Sequence, residues 1–169
     1  MELLLGCGSR RDKIIAFGPS KEWTELVTLD NNAAHSPDWV WDLNEKPWPF
    51  EDGAFSEVHA YEVLEHLGSG PGDYLSFFAD FSEIWRVLEP GGLLCATCPA
   101  FGSPWVWGDP SHRRQISPES LVFLSQAAYE QQVGKTPMSD FRSVYSADFE
   151  PLWMEVKEHT FAFVLKAVK

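Results

Sequence analysis

Apolar residues along the chain fall into short continuous runs, and one longer segment shows helical spacing. A continuous apolar run bounded by turn residues is typical of a buried strand in a parallel sheet. In the longer segment, from Asp73 to Leu88, large apolar residues recur every three or four positions, which predicts an amphipathic helix. The shorter runs predict five strands, at residues 2–5, 26–29, 39–41, 57–61 and 93–98.

A second helix is predicted after the fifth strand. Ser117 is suited to cap it, because a serine oxygen can accept a hydrogen bond from a free backbone N–H of the first turn. Pro118 follows at the first helical position, where no N–H is required. We expect this helix to extend to about Glu130, and residues 134–147 to be irregular.

The last part of the sequence predicts an antiparallel pair of strands. Residues Phe149 to Lys157 and Thr160 to Val168 alternate between apolar and polar side chains around a tight turn near Glu158. Parallel strands with helices, followed by a hairpin, predict an α/β fold, a Rossmann-like sandwich with a mostly parallel sheet. Because the sequence contains no repeat and no linker, we expect a single domain over residues 1–169.

The connection between the first two strands departs from this pattern. Parallel neighbours need a crossover connection, which is usually a helix. Here Lys13 to Phe17 reads as either a strand or a short helix, and Gly18-Pro19 interrupts it. The crossover helix is therefore expected to be shortened.

Glycines and an acidic residue stand at the ends of the first two predicted strands. The first strand ends in Gly6-Cys7-Gly8, whose bare backbone lets a ligand approach closely. Asp30 ends the second strand, about 20 positions further on, where a carboxylate can accept hydrogen bonds from both hydroxyls of an adenosine ribose. Arg11 occupies the place of the third glycine that a pyrophosphate-binding turn uses. The pattern therefore favours S-adenosylmethionine over NAD.

Charge and cysteine content narrow the range of functions. The chain has 13 basic and 25 acidic residues, a net charge of −12. Because surfaces that hold nucleic acid need clustered Lys and Arg, broad nucleic-acid binding is not expected, and Arg113-Arg114 remains as a local basic group. Three cysteines, no signal peptide and no apolar segment of membrane length indicate a cytoplasmic protein without a membrane partner.

Two of the cysteines have a spacing that can signal metal binding. Cys95 and Cys98 form a C-x-x-C pair inside the fifth predicted strand. Residues three apart on a strand point to opposite faces, so the pair suits neither a metal nor a redox centre. We therefore assign both cysteines a structural role and predict no metal site.

Taken together, the segments resemble the class I S-adenosylmethionine-dependent methyltransferases, in particular the type 11 group. The joint order of the motifs over roughly residues 1–125 carries the resemblance, and the whole chain is also similar to small methyltransferase-like proteins encoded in phage genomes. The motifs are Leu5–Gly8, Leu29-Asp30, Asp42-Leu43 with Pro49-Phe50, Tyr61–Leu67, Trp85–Gly92, Asp109–Arg114 and Ser117–Ser120.

The resemblance implies a binding site for S-adenosylmethionine at the ends of the strands. The backbone of Gly6, Cys7 and Gly8 would pass under the methionine moiety of the cofactor. Asp30 would bind the ribose hydroxyls, with Asn31 beside the adenine.

Three further residues are implied in the same way. Asp42 would accept a hydrogen bond from the adenine amine, with the Leu43 backbone close by, and Tyr61 would lie beside the sulfonium and its methyl group. Many members of the family also have one or two helices before the first strand that close the site. Here Met1 adjoins that strand.

His112 is the first candidate for catalysis. Methyl transfer from a sulfonium is an in-line displacement that depends on positioning, and an oxygen or nitrogen nucleophile can also require a base. His112 follows the fifth strand in an aromatic loop, where Asp109 could orient it. In the alternative interpretation, both side chains hold the loop through hydrogen bonds to the backbone.

Four other residues are open to more than one interpretation. His66 suits packing or capping more than catalysis, and His59, inside a strand, suits a buried histidine with satisfied hydrogen bonds. Trp105 and Trp107 could line a substrate pocket, or belong to the core or an interface.

The sequence predicts a methyltransferase that acts on an unidentified acceptor, more in keeping with a small molecule than with nucleic acid. Alternatives are a non-catalytic S-adenosylmethionine-binding subunit with a regulatory or assembly role, a nucleotide-dependent oxidoreductase, and a methyltransferase for DNA or RNA bases. The last is disfavoured because Tyr61-Glu62-Val63 stands where amino-group DNA methyltransferases have an Asn-Pro-Pro-Tyr type of motif. The acidic surface and the aromatic loop are compatible with a homodimer.

Overall fold

One sheet of seven strands organises the fold. A computed structural model of the chain describes residues 1–17 and 20–169, so the predicted interruption at Gly18-Pro19 lies outside the described residues. The strands are β1 (Glu2–Leu5), β2 (Leu26–Asp30), β3 (Trp39–Val40), β4 (Phe55–Tyr61), β5 (Leu88–Pro99), β6 (Phe149–Lys157) and β7 (Thr160–Ala167).

The sheet is mixed, as the sequence predicts. Its strand order is β3-β2-β1-β4-β5-β7-β6. The first five strands pair in parallel, whereas β7 runs antiparallel to both of its neighbours, β5 and β6. The hairpin turn lies at Glu158, which has a φ of +53°. The predicted α/β class and the C-terminal hairpin are therefore confirmed.

Strand β5 is longer than the predicted segment 93–98. Its pairing with β4 begins at Leu88, opposite Phe55, and resumes at Leu93, opposite Glu57, so that residues 89–92 bulge out against Ser56. Gly91 has a φ of +80° within this bulge. Residues 89–92, between the predicted helix and the predicted strand, thus form an irregularity inside β5.

Helices are few and mostly short. No helix among the described residues has the length and apolarity needed to cross a membrane. Three additional segments form single 3-10 turns, at Ala33–His35, Leu64–His66 and Val122–Leu124. The α-helices are α1 (Tyr74–Val87), α2 (Trp105–Gly108), α3 (Pro118–Leu121) and α4 (Gln126–Gln132).

Helix α1 agrees with its prediction, and the second predicted helix does not. Asp73 caps α1 by accepting a hydrogen bond from the Ser76 N–H at 3.1 Å. Ser117 caps α3 as predicted, but that helix ends at Leu121. The run to Glu130 is interrupted because the Ser125 side chain caps a separate helix, α4, instead of continuing the first.

The two faces of the sheet have different covers. On the face here called the helical face, buried side chains of the strands pack against α1, α3, α4 and the irregular segment after them. The α1 residues Phe78, Phe81 and Ile84 are all at most 3% exposed. The strand residues on this face include Leu3, Leu5, Leu29, Val58, Ala60, Leu94, Ala96, Cys98, Phe161, Phe163 and Leu165.

The opposite face, here called the strap face, is covered by a segment without regular structure. This strap consists of residues 10–17 and 20–25, and within it Ile15 packs with Cys95 and Val164. The short helix or strand considered for Lys13 to Phe17 does not form. Cys95 on the strap face and Cys98 on the helical face are both buried and free, as their spacing predicts.

Candidate functional site

Two adjoining cavities lie at the edge of the sheet where the parallel strands end. Their volumes, about 360 Å³ and about 500 Å³, fall within the range of small-molecule sites. Gly6 and Glu62 line both cavities, so the two form one extended crevice. The first is lined also by Asp30, Asn31, Trp41, Asp42, Leu43, Asn44, Val63, His66 and Leu67, and the second by residues that include Cys7, Gly8, Arg10, Tyr61 and Thr97.

The turn after β1 depends on its glycines. Gly6 and Gly8 have φ values of +54° and +51°, in the left-handed region that favours glycine. A Cβ atom on Gly6 would lie 2.6 Å from Cγ2 of Val63, which is closer than side chains tolerate. The turn therefore brings bare backbone against the crevice, as the sequence predicts.

Asp30 joins this turn to the end of β2. Its Oδ2 accepts a hydrogen bond from the Gly8 N–H at 2.8 Å, and its Oδ1 accepts one from the Asn32 N–H at 2.8 Å. Burial acts to raise the pKa of Asp30, but these donors and His35 outweigh it and leave the pKa below its usual value. The carboxylate is therefore ionised and rigidly held at the crevice.

Asp42 reaches the same cavity from the segment after β3. It is exposed, and its Oδ1 accepts hydrogen bonds from the Asn44 backbone and side-chain amides at 2.9 and 3.0 Å. Asn31 and Leu43 line this cavity as well. Trp41 was assigned only to a strand from the sequence, and here its indole borders the cavity beside Asp42.

Tyr61 borders the second cavity, and its hydroxyl is already bonded within the protein. The oxygen accepts a hydrogen bond from the Ile15 N–H at 3.1 Å and lies 2.6 Å from Nδ1 of His59. Burial raises the pKa of Tyr61, so the phenol is protonated at neutral pH. Nε2 of His59 lies 2.8 Å from Glu57, which confirms His59 as a buried histidine with satisfied hydrogen bonds.

His112 and Asp109 have separate partners, contrary to the predicted orientation of one by the other. Nδ1 of His112 lies 2.9 Å from the Val106 carbonyl oxygen. Asp109 accepts hydrogen bonds from the backbone N–H and the hydroxyl of Ser111. Both side chains thus hold the loop through local contacts, as the alternative interpretation proposed.

Two glutamates follow β4, Glu62 directly after the strand and Glu65 inside the 3-10 turn Leu64–His66. Glu62 has a φ of +55°, an unusual conformation for a residue with a side chain, and its N–H bonds to the Thr97 carbonyl. Glu65 is buried, and burial together with the charge of Glu62 raises its pKa to about 8. Neither glutamate was predicted as a site residue from the sequence, because both lie inside the motif Tyr61–Leu67 and nothing local distinguishes them from its other residues.

Hydrogen bonds hold the loop after β5 against the 3-10 turn Leu64–His66. The N–H groups of Arg113 and Arg114 donate to the Glu65 carbonyl at 2.7 and 3.2 Å, and Nη2 of Arg114 lies 2.8 Å from the buried Asp80. Arg114 is therefore occupied within the protein, and the basic group noted in the sequence is not a free pair. These contacts also bring the rings of His66 and His112 together edge to face, with ring centroids 4.7 Å apart.

Trp105 and Trp107 do not belong to the core. On the short helix α2 they are 59% and 55% exposed, and the nearby Phe101 is 73% exposed. Of the interpretations considered from the sequence, a pocket wall or an interface remains.

Carboxylates dominate the electrostatics of the crevice. Asp30, Asp42 and Glu62 all line it. Arg10 lines the second cavity together with Asp12, with which it forms an ion pair at 3.0 Å, and the nearby Arg11 is bonded to the carbonyl oxygens of Gly8 and His35. Such a surrounding favours a cationic ligand over a phosphate.

Comparison with protein-family models gives no match for this sequence, and comparison with curated protein sequences gives none.

Comparison of the fold with solved structures gives clear matches at low sequence identity. The N-methyltransferase NodS from Bradyrhizobium japonicum WM9, in complex with S-adenosyl-L-homocysteine, is 12% identical with a TM-score of 0.60, over 99% of this chain and 78% of that one. The 1,6-didemethyltoxoflavin-N1-methyltransferase of Burkholderia thailandensis is 15% identical with a TM-score of 0.56, over 99% and 71%. The [4+2]-cyclase SpnF is 15% identical with a TM-score of 0.58, over 99% and 75%.

These matches confirm the fold that the sequence motifs imply. The chain has the Rossmann-like fold of the class I S-adenosylmethionine-dependent methyltransferases. A fold of this kind carries more than one activity, as the cyclase illustrates, so function has to be argued from the crevice itself.

Proposed function

We propose that this protein binds S-adenosylmethionine in the crevice and transfers its methyl group to a small-molecule acceptor. One observation carries the proposal: the glycine turn after β1 and the carboxylates of Asp30 and Asp42 line adjoining cavities at the ends of neighbouring strands. The structures of similar fold include methyltransferases and a complex with S-adenosyl-L-homocysteine, which supports the choice of cofactor at the level of the fold.

In this proposal the adenosine occupies the first cavity. Asp30 accepts hydrogen bonds from the ribose hydroxyls, and Asn31 lies beside the adenine. Asp42 accepts a hydrogen bond from the exocyclic amine, with the Leu43 backbone close by. Trp41 adds an aromatic surface to the same cavity.

The methionine moiety and the sulfonium occupy the second cavity. The backbone of Gly6, Cys7 and Gly8 lies along it, and Tyr61 forms its wall. Tyr61 acts here by position, because its hydroxyl is engaged and its raised pKa prevents it from serving as a base at neutral pH. His112 as a base, with Asp109 near it, stays a prediction.

Two features favour S-adenosylmethionine over NAD. Carboxylates around the crevice attract a sulfonium and repel a pyrophosphate. In addition, no helix begins within the described part of the strap that follows the glycine turn, and pyrophosphates are bound mainly by helix N-termini. The combined volume of the crevice and the net charge of −12 favour a small molecule over nucleic acid as the acceptor.

Isothermal titration calorimetry with S-adenosylmethionine and S-adenosylhomocysteine tests the binding step, with NAD as a competitor. We expect both adenosyl ligands to bind and NAD to leave their binding unchanged. Asp30→Ala should weaken binding by about 1 to 3 kcal/mol, because two ribose hydroxyls lose their acceptor. Undiminished affinity in this variant contradicts the ribose assignment.

Two further variants separate binding from folding. Asp30→Asn retains one acceptor oxygen for the glycine turn and should show an intermediate loss. Asp140→Ala removes an exposed, ion-paired aspartate that lines neither cavity, and should bind like the wild type.

Formation of S-adenosylhomocysteine with pools of small metabolites tests the transfer step. Tight binding without turnover in any pool supports the alternative, a non-catalytic S-adenosylmethionine-binding subunit. Turnover only with nucleic acid contradicts the proposed class of acceptor.

A further inference from the structure

Four side chains beside the crevice form a group here called the Glu–His cluster. Glu62, Glu65 and His66 belong to the turn after β4, and His112 belongs to the loop after β5. One ligand atom from each of Glu65, His66 and His112 lies within 4.8 Å of the others. Carboxylate oxygens and imidazole nitrogens at this separation are the donor set of many metal sites in proteins.

The buried carboxylate of Glu65 points to a ligand in this place. Glu65 is 1% exposed, and neither of its oxygens accepts a hydrogen bond from an N–H or hydroxyl group of the described structure; the group beside it is the carboxyl of Glu62. Burying a carboxylate is costly unless it is paired, hydrogen-bonded or coordinated to a metal. A cation between Glu65 and the two histidines would supply the missing partner.

The hydrogen bonds of both histidines leave one nitrogen of each ring free to coordinate. Nδ1 of His112 lies 2.9 Å from the Val106 carbonyl, which can only accept, so Nδ1 carries the proton and Nε2 keeps its lone pair. Nδ1 of His66 lies 3.1 Å from Oγ of Ser111. The Ser111 hydroxyl donates to Asp109, so Oγ accepts from His66 and leaves Nε2 of His66 free as well. Metal-binding histidines are typically oriented by such contacts.

A second group of similar composition lacks these properties. Glu57, His59 and Cys95 also lie within 4.8 Å of one another. There, however, Glu57 pairs with both Lys13 and His59 at 2.8 Å, and the other nitrogen of His59 bonds to Tyr61. The carboxylate and the imidazole of this second group therefore already have partners in the protein, whereas the Glu65 carboxyl of the Glu–His cluster has no N–H or hydroxyl donor.

We propose that Glu65, His66 and His112, with Glu62 beside them, bind a divalent transition-metal ion. Two imidazoles combined with carboxylates suit Mn²⁺, Fe²⁺, Co²⁺ or Zn²⁺. Metal–ligand bonds of about 2.0 to 2.2 Å place two ligands of one ion at most about 4.4 Å apart, so any pair near the 4.8 Å limit has to approach when an ion binds. This proposal differs from the sequence-based prediction of no metal site, and the titrations below test one against the other.

The ion would border the crevice assigned to the cofactor, and its relevance to methyl transfer rests on the proposed function. Glu62 and His66 line the first cavity, whereas Glu65 and His112 line a separate, narrow space. An ion on this wall can offer an open coordination position to an oxygen or nitrogen group of a bound acceptor.

Calorimetric titration of the chelator-treated, full-length chain with Mn²⁺, Co²⁺ or Zn²⁺ alone tests the proposal. We expect one ion per chain, and a visible absorption band when the ion is Co²⁺. Glu65→Gln and His112→Asn should each weaken ion binding by more than about 100-fold, and Ser111→Ala, which frees His66, by about 10- to 100-fold. Circular dichroism of each variant verifies that it is folded, and if Glu65→Gln does not fold, His112→Asn decides.

Matched substitutions at exposed positions serve as controls. Glu155→Gln and His159→Asn make the same chemical changes outside the cluster and should leave ion affinity unchanged. Absence of binding by all three ions overturns the proposal, and so does equal affinity in the wild type, Glu65→Gln and His112→Asn. Because no S-adenosylmethionine is present in these titrations, the result is independent of whether the proposed function is correct.

Discussion

The two faces of the sheet are stabilised by different interactions. On the helical face, α1 presents an apolar stripe to apolar strand residues, and side chains such as Phe81 and Ile84 are completely buried. On the strap face, an irregular segment lies over a strand surface that carries Glu2, Glu57 and His59. A helix satisfies its own backbone and can contribute apolar surface alone, whereas a segment without regular structure depends on polar contacts to stay in place.

The contacts of the strap show this dependence. Nζ of Lys13 lies 3.1 Å from Glu2 and 2.8 Å from Glu57, and its side chain is 2% exposed. The Ile15 N–H donates to the Tyr61 hydroxyl. We therefore expect apolar truncation to matter most on the helical face and loss of charge to matter most on the strap face.

The largest effect is expected on the helical face. Phe81→Ala removes a ring that is 0% exposed and lies against Phe77, with centroids 4.8 Å apart. The cavity and the lost burial should lower the free energy of unfolding by about 3 to 5 kcal/mol, measured by urea denaturation. Phe101→Ala, at a position 73% exposed, is the control and should change it by less than about 0.5 kcal/mol.

The charged contacts of the strap come second. Lys13→Met leaves two carboxylates without their shared cation and should cost about 3 kcal/mol in the same measurement. Adding Glu57→Gln to this variant should recover part of the loss, because one uncompensated charge is removed. A loss below about 1 kcal/mol would mean that water replaces the lysine easily, and the two faces would then differ less than we infer.

A matched pair of isoleucines compares the faces directly. Ile15 on the strap packs with a small cluster, and Ile84 of α1 lies in the main core. Ile15→Ala should lower the free energy of unfolding by about 2 kcal/mol, the lower end of the usual range, because the strap can collapse into the space. Ile84→Ala should lower it more, by about 3 kcal/mol, because the main core cannot collapse in this way, and equal losses in the two variants would contradict the distinction between the faces.

The smallest effect depends on pH. Burial on the strap face lowers the pKa of His59, and the charge of Lys13 adds to this against the opposing effect of Glu57. Below its unfolded pKa of about 6.5, the unfolded chain binds a proton that the folded chain refuses. Stability should therefore fall as the pH decreases through this window, by at most about 1.4 kcal/mol per pH unit, and level off below the folded pKa.

The pH dependence of the free energy of unfolding should be measured for the wild type and for His59→Gln, since the difference between them gives the contribution of this histidine. Glu65, with its pKa raised to about 8, acts in the opposite direction, because its folded form keeps a proton that the unfolded form loses as the pH rises. The difference between the two pH profiles cancels that contribution. Identical profiles would contradict the assignment of His59.

The strands and α1 could be predicted because their signals are local. Apolar runs ending in Gly6 and Asp30 identify both the strands and their ends, and in a parallel sheet those ends must meet at one edge. The interruption at Ser125 was missed because a capping serine inside an apolar pattern looks like an ordinary helical residue. The strap was ambiguous because its conformation is decided by Glu2 and Glu57, which belong to other strands.

The Glu–His cluster was beyond reach for the same reason. His66 and His112 belong to different segments, and contacts between those segments, such as the hydrogen bonds from Arg113 and Arg114 to the Glu65 carbonyl, bring their rings together. The unpartnered state of the Glu65 carboxylate is likewise a property of the packed structure.

The position of β7 has a consequence for biosynthesis. This strand follows β6 along the chain but lies between β5 and β6, so both of its edges are paired in the finished sheet. Until residues 160–167 have left the ribosome, the nascent chain exposes the bare edge of β5, the kind of surface on which aggregation begins. A translation product that stops before residue 160 would thus lack β7, the strand that joins β6 to β5. We expect such a product to be recognised by chaperones or degraded by proteases.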